Sequence, residues 1–282
     1  MSQVNTNLDY LAVYNKQNVV INSVDKTSGS VSNNDFSISF NAESYAINKI
    51  KKLSVSSFTC NNLFRNVASY NNRLGLIYST GGPSVPVDVV IDPGYYNATQ
   101  LAAAVQASVI ANSPMAAFTC TFDVLTYKFV LATNDPGYEI YIAPSITNQG
   151  FTPRIQGTLA WNMGFTVLPT VQATSITNNS LPSLNIQTIY VYSMRLASNK
   201  SWRSDNQSRA VPSNLLITIP IANVQYGSIA NWISSGSNER GTLVYPREEQ
   251  ISTIDFRLCN EFGNVLESEP NANIAIEFLV YF

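Results

Sequence analysis

Apolar and polar residues alternate with a period of two along most of this chain, which is typical of β-strands that bury one face. Residues 35–40 show the pattern clearly, since Phe36, Ile38 and Phe40 alternate with Asp and Ser. Clusters of Gly, Pro, Asn and Ser, such as residues 79–84, separate the alternating runs. Many short strands divided by such turns predict an antiparallel β-sandwich.

The alternation also predicts how some strands follow one another. Residues 118–122 and 127–131 flank a turn, so they predict a β-hairpin. A tight turn at 260–264 follows the strand 251–259, and the chain is then expected to return in the strand 274–282. The other predicted strands are 18–24, 35–40, 47–60, 74–78, 85–91, 138–142, 186–196, 215–221 and 241–245.

Two polar segments are predicted to lack regular structure. Residues 166–183 are low in charge and rich in Thr, Ser and Asn, so they are predicted as a linker or surface loop that rejoins the main domain. Residues 197–213 are predicted as a polar loop, with Arg195, Arg203 and Arg209 in it or beside it.

One segment has a helical pattern instead, and it spans about residues 97–112. Leu101, Val105 and Val109 form an apolar face at helical spacing, and the adjoining alanines favour a helix. Asn97 or Thr99 is expected to cap its start, and the sequence Ser-Pro at 113–114 ends it. Residues 159–165 predict a short helical turn closed by Gly164.

The amino-acid composition indicates what the surface of the predicted β-sandwich is made of. Only 12% of the 282 residues are charged, about half the usual share, while 45% are hydrophobic. The polar surface must therefore come from Ser, Thr, Asn and Gln, which suits extensive contact with other proteins, although a β-rich protein with polar turns has the same composition. The net charge is −2, and the densest basic stretch, residues 49–52, fits the solvated face of a strand. Direct nucleic-acid binding is not expected, because it needs clustered basic residues.

The chain contains no histidine, which excludes Ser-His-Asp and Cys-His catalysis. A β-sandwich glycosidase or lyase would need paired carboxylates, but adjacent residues of a strand such as Glu248 and Glu249 point to opposite faces. A metal would need oxygen ligands from loops such as 88–92, and that signal is weak. The sequence therefore predicts a protein that is not an enzyme, with no catalytic residues, cofactor or metal site.

The three cysteines, Cys60, Cys120 and Cys259, lie far apart and lack metal-ligand spacing. Each stands among apolar or β-forming residues, so each is predicted to be a free thiol in the core of a protein that folds in a reducing compartment. No signal peptide and no membrane span are expected from the sequence.

Several of these blocks occur in an order that resembles a known family. The blocks are Ser-Asn-Asn-Asp-Phe-Ser-Ile at 32–38, the strand 47–58, Val-Ile-Asp-Pro-Gly-Tyr-Tyr at 90–96 leading into Leu101, the run 118–131, the run 159–165 and the tail 254–266. The chain in this respect resembles the penton (minor capsid) proteins of virophages, polinton-like viruses and related large eukaryotic DNA viruses, over roughly residues 19–282. The segments 166–183 and 197–213 match nothing in that pattern.

The resemblance implies an all-β fold, a single jelly roll of two four-stranded sheets. Residues 1–73 and 171–282 would form the jelly roll, and residues 74–170 would be an inserted small α+β capping region with the helix and a β-hairpin. It further implies a homopentamer at each vertex of an icosahedral virion, assembled in the host cell interior. The partners would be other copies of this chain and the major capsid protein, without a membrane span or direct nucleic-acid contact.

The alternative function is a receptor- or glycan-binding module on the same fold, with its site near residues 117–143. For the structural function, the candidate interface residues are Trp202, Arg203, Arg209, Tyr95 and Tyr96. Trp202 beside Arg203 in a polar segment is the leading candidate among them. Core packing remains an open alternative for each aromatic residue.

Overall fold

The computed structural model describes residues 15–40, 47–142, 158–166, 173–196, 201–204, 210–234 and 242–282. The chain divides into two compact units: Met1–Leu63 with Gln187–Phe282, and Phe64–Ile186. The second unit begins before residue 74 and ends after residue 170, the bounds expected for the insertion. It does so because Val67 pairs with Gly94 at one end and a strand at 175–177 joins its sheet at the other.

The described elements are mainly strands. They are β1 (Lys16–Asn22), β2 (Asp35–Ser39), β3 (Ile47–Asn61), β4 (Arg73–Ser79), β5 (Val85–Val90), α1 (Ala98–Asn112), β6 (Phe118–Asp123), β7 (Lys128–Thr133), β8 (Glu139–Ile142), α2 (Leu159–Asn162), β9 (Ser175–Thr177), β10 (Thr188–Tyr192), β11 (Ser201–Ser204), β12 (Ala210–Ser213), β13 (Leu215–Pro220), β14 (Ile229–Ile233), β15 (Thr242–Ile251), β16 (Thr253–Cys259) and β17 (Ile274–Tyr281). A 3₁₀ turn at Ser23–Asp25 follows β1.

The first unit is a single jelly roll built from two antiparallel sheets. One sheet has the order β1-β17-β3-β14, with β15 also pairing with β3, and the other has the order β13-β10-β16-β2. The chain passes repeatedly between the sheets, from β1 to β2 to β3 and finally from β16 to β17, which is the jelly-roll path. The first sheet has five strands instead of four because β3 is 15 residues long. It pairs with β14 along one part and with β15 along another.

The predicted return strand after 260–264 enters the opposite sheet. β16 pairs with β2 and β10, whereas β17 pairs with β1 and β3, so the two strands do not form a hairpin. Their apolar faces meet across the sandwich, where the rings of Phe256 and Phe278 stack with centroids 5.9 Å apart. Burial of both apolar faces against each other satisfies the same alternation that a hairpin would. This packing supplies much of the jelly-roll core.

The second unit has its own core, between α1 and two three-stranded sheets, β5-β4-β8 and β6-β7-β9. Leu101, Val105 and Val109 are buried as the helical spacing predicted. Asn97 caps α1 in a capping box with Gln100, in which each side chain accepts a hydrogen bond from the backbone N–H of the other residue. The predicted hairpin is formed by β6 and β7.

Gly164 closes α2, as predicted, and no other residue fits there. Its φ is +88°, which L side chains rarely adopt. A Cβ atom at this position would lie 2.4 Å from the carbonyl oxygen of Ser180. The residue therefore allows the segment near Ser180 to pack directly on the helical turn.

Both predicted polar loops contain strands. Within 166–183, β9 pairs with β7, and the buried Asn178 accepts a hydrogen bond from the N–H of Phe129 at 2.9 Å. Within 197–213, β11 pairs with β12. The loop predictions were wrong for these described parts because the strands are only three or four residues long, too short for an alternating pattern to stand out from the polar residues around them.

The cysteine prediction is confirmed, since all three are free and buried. Burial raises the pKa of the Cys60 and Cys120 thiols to about 12. It raises that of Cys259 to about 11, with smaller influences from Arg257 and Asp35.

A candidate interaction surface on the five-stranded sheet

The tyrosines singled out from the sequence make contacts inside the second unit. The Tyr96 hydroxyl donates a 2.8 Å hydrogen bond to the carbonyl oxygen of Asp92, and its ring packs against the core of that unit. The backbone N–H of Tyr96 donates to Asn66 Oδ1 at 2.9 Å. Burial and then the charge of Asp92 raise the pKa of Tyr96. The Tyr95 hydroxyl donates to Asn185 Oδ1 at 3.4 Å.

The remaining candidates belong to the β11–β12 region. Trp202 and Arg203 lie in β11, where they pair in register with Pro212 and Val211 of β12. Arg209 lies outside the described residues. Tyr95 and Tyr96 thus belong to the second unit and Trp202 and Arg203 to the first, and all five candidates stay predictions.

A surface that the sequence did not single out lies on the outer face of the five-stranded sheet. Four aliphatic side chains there, Val20, Ile229, Ile233 and Val244, are each 65–68% exposed. They belong to β1, β14 and β15, and their neighbours Ile21, Ala230 and Leu243 point inward and are buried. We call these four residues and the positions between them the aliphatic face.

Strand register arranges the aliphatic face in rows that cross the sheet. Directly opposite residues of antiparallel strands share a side of the sheet. The rows, read from β1 through β17 and β3 to β14 or β15, are Val20–Glu277–Ser57–Ile233, Asn22–Ala275–Thr59–Asn231, Asn18–Leu279–Ser54–Thr242 and Lys16–Tyr281–Lys52–Val244. Three aliphatic residues thus lie at the ends of rows whose middle positions are mostly small or polar.

The small middle positions leave a groove of about 580 Å³ in this face. Its lining residues are Asn18, Ser54, Val55, Ser56, Ser57, Thr59, Asn231, Ile233, Ser234, Glu277, Leu279 and Tyr281. A β-bulge places Ser56 as an extra residue between the positions opposite Glu277 and Phe278, and it locally bends the strand. The groove is therefore a product of small side chains and a bulge.

Two hydrogen bonds fix polar side chains within the rows of the groove. The Ser57 hydroxyl donates to Glu277 Oε2 at 3.0 Å, and the Thr59 hydroxyl donates to Asn231 Oδ1 at 3.2 Å. At the end of the groove, the ammonium groups of Lys16 and Lys52 lie 5.3 and 4.8 Å from the ring centroid of Tyr281. The groove thus combines one carboxylate, two cations near one end and an aliphatic rim.

A second exposed apolar feature lies at the tip of the β6–β7 hairpin in the other unit. Val124, Leu125 and Tyr127 are all exposed there, and Leu125 is 89% exposed. We call these three residues the apolar prong. Asp123 holds the turn, since its carboxylate accepts hydrogen bonds from the Leu125 N–H at 2.8 Å and the Thr126 hydroxyl at 2.7 Å. These bonds, the Thr126 bond foremost, lower the pKa of Asp123.

The outer face of the four-stranded sheet is different. Asp35 and Arg257 form an ion pair of 3.1 Å there, and Asp255 accepts hydrogen bonds from the backbone N–H groups of Met194 and Arg195. Among the described residues of β2, β10, β13 and β16, no large apolar side chain is exposed.

The described residues contain no group of three or more Cys, Asp or Glu side chains that could hold a metal ion. None of the helices in the described ranges is long and apolar enough to cross a membrane.

Comparison with known proteins finds matches among solved structures. No protein-family model matches the chain, and no curated protein matches it. Among solved structures, the chain is similar to the crystal structure of selenomethionine-labelled mavirus penton protein, with 13% identity and a TM-score of 0.49. The match covers 95% of this chain and 100% of that chain. That protein is a penton protein, the class that the sequence resemblance names.

Proposed function

We propose that this chain is a structural capsid protein that forms the pentameric vertex of an icosahedral virion. Its partners are other copies of itself and the major capsid protein, and it is assembled inside the host cell. The observation that carries the proposal is the aliphatic face, an exposed contact surface on a jelly roll. In this role the chain is a structural protein and not a catalyst.

The jelly-roll fold is compatible with several functions and does not identify one by itself. This fold occurs in viral capsid proteins, lectins and cupins, and function has to be argued from the surface. Cupin chemistry depends on metal-binding histidines, and this chain has none. Four exposed aliphatic residues on one sheet face suit burial against another protein better than contact with a sugar.

A closed ring also fits the kind of surface that the chain offers. Rings form through heterologous interfaces, in which two different patches of the same chain meet. The low charged fraction reduces repulsion between copies that are packed side by side. The aliphatic face is one patch available for such a contact.

The first experiment measures the mass of the purified full-length protein by light scattering, across concentration and salt. A mass of five copies, with five-fold symmetry in electron micrographs, is the expected result. If the protein stays monomeric, the same measurement is repeated with the major capsid protein added, because capture into a five-fold complex is then expected. A stable trimer would overturn the vertex proposal.

A receptor- or glycan-binding module is the second candidate, and one observation favours it. The segment expected to carry that site, residues 117–143, presents the exposed ring of Tyr127 on a hairpin tip, and aromatic rings stack on sugars. A glycan array probed with the wild type and with Tyr127→Ala tests this function. Loss of a positive signal in the variant would support it, and an array without any signal would rule against glycan recognition.

A further inference from the structure

The chain carries an exposed apolar protrusion and a groove. The apolar prong stands at a hairpin tip, whereas the groove lies in the outer face of the five-stranded sheet, and its twelve lining residues are eight polar ones together with Val55, Ile233, Leu279 and Tyr281. A contiguous exposed apolar cluster such as the prong marks a contact surface. A heterologous contact between copies joins two different patches of one chain, and a protrusion and a depression are two such patches.

We propose that the apolar prong of one copy inserts into the groove of the aliphatic face on a second copy. This inference rests on the proposed function, which requires contacts between copies, and it names the residues that make one. Leu125 and Val124 enter the groove, and Ile233 and Leu279 form its apolar rim.

The prong is preorganised for insertion. The two hydrogen bonds to the Asp123 carboxylate fix the turn, and the Tyr127 ring lies edge-on to Phe122 with centroids 6.2 Å apart. Tyr127 has a φ of +54°, which is uncommon for an aromatic residue and is held by this turn. A segment already ordered in its bound form loses little conformational entropy when it binds.

The groove has a suitable size and lining. Its volume of about 580 Å³ lies within the usual range of protein clefts that bind small molecules, roughly 300–1,000 Å³. Its floor is made of short side chains, including Ser54, Ser57 and Thr59, so the depression is open to a side chain from outside. Leu279 and Ile233 supply the apolar contacts that a leucine needs.

Each of the two features has charged residues of both signs beside it. Asp123 and Lys128 lie opposite each other where the two strands meet the prong. The groove contains Glu277, and Lys16 and Lys52 lie over Tyr281 at its end. Lys128 can therefore approach Glu277, and such complementarity helps to fix the register of a contact and speeds its formation.

Other occupants of either feature fit less well. Binding to an anionic membrane surface uses several clustered basic residues, and the prong is flanked by one cation and one anion. Of the three prong residues only Tyr127 offers an aromatic plane or a hydroxyl to a sugar, whereas the aliphatic Val124 and the more exposed Leu125 offer neither. A second copy of the chain is therefore the occupant that the observations favour.

The test measures self-association of the full-length protein by sedimentation velocity across concentration. Leu125→Glu and Ile233→Lys should each weaken association on the order of 100-fold, because each replaces a buried aliphatic contact by an unpaired charge. Leu181→Glu and Val31→Lys are matched controls at exposed aliphatic positions off the two features, and they should leave association unchanged. Circular dichroism and thermal unfolding check that all four variants are folded.

A double variant tests direct contact. Leu125→Glu combined with Ile233→Lys places opposite charges on the prong and the groove, so it should recover at least about tenfold of the lost association at low salt and lose it again at high salt. The inference is overturned if both single variants associate like the wild type, if the double variant shows no recovery, or if the wild type never self-associates. Binding of the wild type to neutral or anionic vesicles that Leu125→Glu abolishes would overturn it in favour of a membrane.

The inference and the proposed function fail in different ways. A five-fold assembly that survives both single variants would retain the vertex role and overturn the prong contact. A wild-type trimer that both single variants dissolve would retain the contact and overturn the vertex role.

Discussion

The two sheets of the jelly roll have similar inner faces and different outer faces. Inward residues such as Phe256 on one sheet and Phe278 on the other are fully buried against each other. Outward, the four-stranded sheet presents the Asp35–Arg257 ion pair and the hydrogen-bonded Asp255. The five-stranded sheet instead presents four exposed aliphatic residues and a groove.

The two outer faces therefore differ in how well water solvates them, because one carries polar side chains and the other carries exposed aliphatic side chains. An antiparallel sheet with one solvated face normally carries polar residues there, and the four-stranded sheet follows that rule. Aliphatic residues at outward positions gain about 25 cal/mol for each Å² that a partner covers, so the five-stranded sheet is stabilised by contact. The same core therefore supports one outer face of polar side chains and one with exposed aliphatic side chains.

The largest effect is expected from removing an inward side chain. Phe278→Ala should lower the free energy of unfolding of the jelly roll by about 3–5 kcal/mol, because it leaves a cavity against Phe256. Leu279→Ala, the next residue of β17 but on the outer face, should cost less than about 1 kcal/mol. Denaturant unfolding of both variants measures the contrast, and equal losses would show that the two faces of β17 are not energetically distinct.

A smaller effect is expected on the outer face of the four-stranded sheet. Asp255→Ala removes the acceptor of the Met194 and Arg195 backbone N–H groups, and it should cost about 1–3 kcal/mol. Asp255→Asn retains an acceptor oxygen and is the matched control, with a smaller expected loss. Unfolding free energies that are unchanged in Asp255→Ala would contradict the view that this face is completed by its own hydrogen bonds.

The surface ion pair on the same face should contribute still less. Arg257→Ala is expected to cost about 0–1 kcal/mol, since the arginine is more than half exposed and the pair is screened by salt. The difference from the wild type should shrink as salt is added. A loss above about 2 kcal/mol that is insensitive to salt would show that the pair acts through packing instead of charge.

The last effect appears only at alkaline pH and concerns the buried thiols, with Cys60 in the five-stranded sheet and Cys259 in the four-stranded sheet. Burial raises the folded-state pKa of Cys60 from 9.0 to about 12, so folding favours its protonated form. This contribution to stability is fully present below pH 9 and is lost as the pH rises toward 12. Cys60→Ala should therefore show a shallower loss of stability between pH 9 and 11 than the wild type.

Chemical denaturation at several pH values measures that slope. A Cys259→Ala variant is the comparison, and its slope should change over a narrower range because the pKa of that thiol rises only to about 11. Identical slopes in the wild type and both variants would contradict the buried, protonated state of the thiols.

Several parts of the structure could be predicted because their signals are local. The helix α1 followed from the spacing of Leu101, Val105 and Val109 and from the capping residue Asn97. The β6–β7 hairpin followed from two alternating runs beside a turn. Gly164 followed from its place after a short helical run. In each case the interacting residues lie within a few positions of one another in the sequence.

Other parts could not be predicted because partners far apart in the sequence decide them. β14 gave no clear signal, and it is held by pairing with β3, which is more than 160 residues away along the chain. The strands β9, β11 and β12 are only three or four residues long, too short for an alternating pattern to stand out, so only their backbone pairing reveals them. The prong was within a region predicted to bear a site, whereas the aliphatic face was missed altogether.

The sequence by itself determined which residues of each strand share a side, because successive side chains of a strand point in opposite directions. It also determined a low-charge surface without histidine chemistry. Only the tertiary structure decided which side is covered, since β16 and β17 alternate alike and yet lie in opposite sheets. Strand pairing brings Val20, Ile233 and Val244 onto one open face, and pairing between distant strands is a property of the whole chain that local alternation does not contain.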